Sequence, residues 1–96
     1  MLVLITYDVN VSEAKGAARL RKVAKTCENY GIRVQNSVFE CNVDASQCAL
    51  LKAKLLEIMD EKLDSLRFYF LGNNYKDKIE HYGANSKYDM KDVIIL

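Results

Sequence analysis

Asp8 closes an apolar run, Met1-Leu2-Val3-Leu4-Ile5-Thr6-Tyr7. A carboxylate placed where such a strand leaves a sheet sits at a rim on which side chains from several loops converge, suited to a ligand or a metal ion. A cap or turn of the chain is the structural alternative for the same residue. Three cations, Lys15, Arg19 and Lys22, follow at the i, i+4, i+7 spacing of one helical flank and could meet phosphate groups. Arg33, Gln35 and Ser37 share one parity, which in an unbroken strand makes a polar row facing solvent, a partner chain or nucleic acid. Cys27, Cys41 and Cys48 form no CxxC pair and are odd in number, so they read as buried thiols rather than metal ligands or a nucleophile. His81 stands alone and reads as a surface residue.

The elements that must position these groups follow from periodicity. Six apolar residues in the first eight mark a strand covered on both faces, hence central in its sheet. After the loop Val9-Asn10-Val11, Ser12 is placed as an N-cap, and Ala17, Leu20, Val23, Ala24, Cys27 and Tyr30 build an apolar stripe that Gly31 stops. Arg33 to Val43 is strand, and Gln35-Asn36-Ser37 is either a tight turn between two short strands or a bulge in one long one. Asp44 and Gln47 have the spacing of a capping box, and Cys48, Leu51, Leu55, Ile58 and Met59 form the face of a second helix. Leu66 to Gly72 is a strand with Leu66, Phe68 and Phe70 on one face and Arg67, Tyr69 and Leu71 on the other. Residues 73–87 read as loop with at most one helical turn. The apolar end Val93-Ile94-Ile95-Leu96 predicts a C-terminal strand over 92–96, added to a sheet edge in the same chain or, fitting best, in a second copy.

Ninety-six residues, half of them apolar and 28% charged, make one domain, residues 1–96. No apolar run approaches the roughly 20 residues that cross a bilayer, and a cytoplasmic protein with no membrane partner is expected. The net charge of +1 is unevenly spread. Lys15, Arg19, Arg21, Lys22, Lys25 and Arg33 face only Glu13 and Glu28 in the first third, so a phosphate-binding surface belongs to the first helix; a charge-mixed solvated face is the alternative.

The succession predicts an α+β, ferredoxin-like βαββαβ sandwich with two helices on one face of an antiparallel sheet and an extra C-terminal strand. The first strand is apolar on both sides, so its uncovered face calls for a second subunit, a homodimer. Two copies of Asp8 could then face one another across the two-fold axis. Facing carboxylates repel unless protonated or bridged, and oxygen ligands with retained waters suit Mg2+, or Mn2+.

Three blocks carry a resemblance: Tyr7-Asp8 with Asn10 beyond it, Arg33-x-Gln35-x-Ser37-Val38-Phe39-Glu40, and Asp64-Ser65-Leu66-Arg67-x-Tyr69. In this order, over nearly the whole chain, they resemble the small CRISPR-associated protein two family. The resemblance implies a ferredoxin-like homodimer in the adaptation stage of CRISPR immunity, a divalent-metal-dependent endonuclease on double-stranded DNA or RNA. It implies Asp8 as metal ligand and catalytic residue, with Tyr7 and Asn10 beside it. Arg19 and Arg33 match basic positions and Phe39 an aromatic one near the cleft, though a core or interface aromatic is the alternative for Phe39; Gln35 and Ser37 support the block. A second implied role is a non-catalytic scaffold dimer that grips a short duplex and positions the integrase-type CRISPR-associated protein one.

Overall fold

In the computed structural model, which describes residues 1–71 and 79–84, the chain runs β1 (Leu2–Asp8), α1 (Ala14–Glu28), β2 (Gly31–Gln35), β3 (Val38–Asn42), α2 (Ala45–Ile58), β4 (Ser65–Leu71) and β5 (Ile79–Gly83). The strands form one sheet in the order β2-β3-β1-β4-β5 with every neighbouring pair antiparallel. β1 is therefore the middle strand, as its apolar run predicts. The α+β class and the βαββαβ order hold, and β5 extends the sheet beyond β4.

Alternation along β1 decides where the core lies. Val3, Ile5 and Tyr7 are buried among Val23, Ala24 and Cys27 of α1, Cys48, Leu51 and Leu55 of α2, and Phe39, Cys41, Leu66 and Phe68 of the flanking strands. Each such aliphatic or aromatic side chain contributes about 1.5–3 kcal/mol when fully removed from water. The opposite face of β1 carries Leu2, Leu4, Thr6 and Asp8; Leu4 and Thr6 are half-buried, and Leu2, paired with the exposed Leu71 of β4, is 41% exposed. Two-sided apolarity is thus real, but the helices cover only one side.

Local signals explain the elements well. The capping box is present: the Gln47 amide donates to Asp44 Oδ1 at 2.8 Å, and the Asp44 amide donates to Gln47 Oε1 at 2.9 Å. The open choice at Gln35-Asn36-Ser37 resolves as a hairpin between β2 and β3 with an irregularity between Arg33 and Gln35. That irregularity breaks the expected polar row, because Arg33 pairs with core-facing Phe39 whereas Gln35 pairs with Val38. Ser12 is not the N-cap. Its amide and hydroxyl both donate to Asn10 Oδ1, at 3.0 and 2.7 Å, so the side chain serves a local turn and α1 starts after Glu13.

Two expectations fail beyond β4. Part of the region read as loop, Ile79–Gly83, is strand: Tyr82 packs edge-on against Phe68, and Lys52 of α2 pairs with Glu80 at 2.5 Å. Tertiary packing overrides a weakly periodic sequence there. His81 is consequently half-buried opposite Arg67, with Nε2 enclosed and unpaired; burial and then the Arg67 charge lower its pKa. The expected strand 92–96 lies outside the described residues.

Candidate active site

β1, the β2–β3 turn, the β1–α1 loop and the start of β4 meet at one rim, where Asp8 emerges. Its Cα pairs with Ser65 across the sheet, and the preceding amide, that of Tyr7, donates to the Ser37 carbonyl at 3.0 Å. Strand alternation sends the side chains of Tyr7 and Asp8 to opposite faces. Tyr7 enters the core, whereas the Asp8 carboxylate is exposed and has no side-chain hydrogen bond among the described residues.

Beneath Asp8 lies a polar cluster that sequence reasoning missed as a site. Asp64, 1% exposed, accepts on Oδ2 from the Tyr7 hydroxyl, from Arg19 Nε at 2.7 Å and from the Asp60 amide at 3.0 Å, and on Oδ1 from Arg19 Nη2 at 2.9 Å. Its own carbonyl accepts from the Ala84 amide at 2.7 Å. Burial works to raise the Asp64 pKa, but the bonds from Arg19, Tyr7 and Asp60 outweigh it and hold the carboxyl below its usual range. Burial, and then the bond to Asp64, push the Tyr7 hydroxyl well up; the bond to Asp64 pushes Arg19 up as well. The cluster is a carboxylate, a guanidinium and a neutral phenol, fully satisfied. Nothing local marks Asp64 as buried, because its side-chain partners Arg19 and Tyr7 lie 45 and 57 residues away.

The other expected site residues divide by environment. Lys15 and Lys22 are exposed on α1. Arg19, expected to point the same way as these two, instead turns inward and places its fork on Asp64. Arg33, exposed on the edge strand, donates from Nε and Nη2 to the Asn36 carbonyl at 2.8 and 2.5 Å and lies 5.7 Å from the Phe39 ring centroid. Phe39 is a core residue, the second of the two readings considered for it. Gln35 is exposed, and Ser37 contributes its carbonyl to Tyr7. Asn10 fixes the loop: its side chain holds Ser12, while a Cβ added at Gly16 would stand 2.0 Å from its backbone oxygen.

A metal would find one carboxylate here. Among the described residues no group of three or more His, Cys, Asp or Glu is placed to hold an ion. The three cysteines are free and buried, Cys41 donating to the Cys27 carbonyl at 3.6 Å, and burial pushes the Cys48 thiol up. They have neither the exposure nor the environment of reactive thiolates. No helix among the described residues is long and apolar enough to cross a membrane.

With that geometry in place, comparison with known proteins is informative. Residues 1–79 match the model of a family described as CRISPR associated protein Cas2. The chain is similar to the CRISPR-associated endoribonuclease Cas2 of Chlorobaculum tepidum, at 59% identity over the full length of both chains. It is similar to the CRISPR-associated endonuclease Cas2 of Halalkalibacterium halodurans at 61% identity, covering 99% of each. Among solved structures, a crystal structure of Streptococcus pyogenes Cas2 superposes with a TM-score of 0.74 at 54% identity, over 83% of this chain and 96% of that one.

Proposed function

This chain belongs to the CRISPR-associated Cas2 family, and from that premise we propose that it is an endonuclease of CRISPR adaptation that hydrolyses phosphodiester bonds with Asp8 as the essential carboxylate. The observation carrying this reading is the contrast at the rim. Asp64, Tyr7 and Arg19 satisfy one another, whereas Asp8, one residue along β1, projects an unpartnered carboxylate into solvent. A charge left free beside a saturated network is available for chemistry.

The donor set fits Mg2+ or Mn2+ rather than Zn2+. Mg2+ keeps several waters and is held by one or two carboxylates together with substrate phosphates, whereas Zn2+ takes four close ligands, mostly sulfur or nitrogen. Asp8 would hold the ion, joined by Asp8 of a second copy if the uncovered face of β1 forms a homodimer. Such an ion lowers the pKa of water and stabilises charge on a phosphate oxygen. The rest falls to the protein: Lys15 and Lys22 attract and hold the backbone, and Arg33 stands beside the β2–β3 turn where a strand could pass. These contacts read phosphates, so both duplex DNA and RNA remain substrates of the proposal.

The exposed cations also favour a second reading, a DNA-gripping dimer that positions the integrase-type CRISPR-associated protein one, because grip needs Lys15 and Lys22 but not Asp8. Incubating purified protein with duplex DNA and with single-stranded RNA, each with Mg2+ and with chelator, tests the nuclease reading. Metal-dependent cleavage of either substrate, absent in Asp8→Ala, supports it; binding without cleavage leaves the scaffold alone.

A further inference from the structure

We infer that Asp64 is a positioning residue for cleavage at Asp8, acting through Tyr7 and Arg19; the inference rests on the nuclease reading and deepens it. Three observations converge. Tyr7 is the chain neighbour of Asp8, and Asp64 is the chain neighbour of Ser65, the cross-strand partner of Asp8. The Tyr7–Asp64 bond therefore ties the two strands at the residues just inside the rim, so the Asp8 backbone cannot fray from β4 without breaking it. Fraying is otherwise easy for the last residue of a strand.

Arg19 adds a second axis. Its two bonds to Asp64 anchor α1, which carries Lys15 four residues before and Lys22 three residues after, to the same carboxylate. One buried group thereby fixes the end of the strand bearing Asp8 and the helix bearing the phosphate-binding cations. The Asp60 amide and the Ala84 amide close the arrangement from the β4 side, on the Asp64 side chain and carbonyl respectively. Asp64 is 1% exposed with all its listening partners internal, so it does not itself reach substrate. Its contribution is to hold Asp8 at a set distance from the phosphates the helix binds, and misplacements near 1 Å reduce turnover by as much as about 100-fold.

The test compares wild type, Tyr7→Phe, Asp64→Asn and Asp8→Ala, each assayed per folded protein well below its melting temperature. Tyr7→Phe keeps the buried ring and removes only the hydroxyl, so it probes the link even where Asp64→Asn folds poorly. We expect turnover in Tyr7→Phe to fall about tenfold or more, with duplex affinity within about twofold. In protein free of metal and substrate, amide hydrogen exchange should quicken at Asp8, Val9 and Asn10 while α2 is unchanged. Unchanged turnover, or faster exchange spread evenly over β1, β3 and α2, would overturn the inference in favour of a purely structural cluster. Asp8→Ala separates the two levels: an inactive Asp8→Ala beside fully active Tyr7→Phe overturns positioning alone, whereas an active Asp8→Ala overturns the nuclease reading as well.

Discussion

The Tyr7 hydroxyl donates to Asp64 Oδ2, joining the end of the central strand to the residue before β4 across 57 positions of sequence. Tyr7 is thereby fixed inward, and alternation forces its neighbour Asp8 outward. Structure and chemistry at the rim are two consequences of one hydrogen bond and one pleat.

The Asp64 carboxyl links stability to acid. Its folded pKa lies below the unfolded value of about 3.9, so its contribution is complete above that value and is lost as pH falls through the lower folded one. Melting temperatures below about pH 4 should therefore drop more steeply for wild type than for Asp64→Asn, which starts lower and has no such carboxyl to protonate. Equal slopes in a pH series would contradict the linkage.

Lys15 and Lys22 are exposed and should act through charge alone. Reversing both, Lys15→Glu with Lys22→Glu, should weaken duplex binding and reduce the salt slope by about 2, with stability changed by no more than about 0.5 kcal/mol per site. Arg19→Ala should behave differently, lowering the melting temperature because it leaves Asp64 buried without its cation. Salt-dependent binding titrations beside thermal melts distinguish the two classes.

Gly16 lets α1 approach the loop that follows Asp8. A methyl there would meet the Asn10 carbonyl oxygen at 2.0 Å, so the loop or the helix must move. Gly16→Ala should cost about 1–3 kcal/mol in denaturant unfolding and reduce cleavage, through displacement of residues 9–12.

The uncovered face of β1 predicts association. Leu2, Leu4 and Leu71 form an apolar strip on it, and sedimentation should give about twice the 11.0 kDa chain mass. Leu4→Asp should shift the protein to monomer; a monomeric wild type would contradict the proposed pair of Asp8 residues.

Much of this was legible in the residues because local physics carries it. Two-sided apolarity placed β1 at the centre of the sheet, and Asp44 with Gln47 announced the start of α2. β5 was not legible, since Ile79–Gly83 gains its strand state from β4 and from Lys52 of α2 rather than from its own pattern. The inward turn of Arg19 was hidden for a related reason: helical spacing gives the flank on which a side chain starts, but not the buried carboxylate 45 residues away that captures it. Asp8 was visible as a candidate from the first strand alone. Asp64, which the structure makes its support, looked like one more acid in a charged stretch.

The most direct test of the account is cleavage by Asp8→Asn, which keeps the size of the side chain and removes its charge. Purified wild type should cut duplex DNA or RNA in Mg2+ and fail in chelator, while Asp8→Asn, with unchanged melting temperature and unchanged duplex affinity, should lose cleavage by about 100-fold or more. Cleavage by Asp8→Asn at the wild-type rate would contradict the central claim.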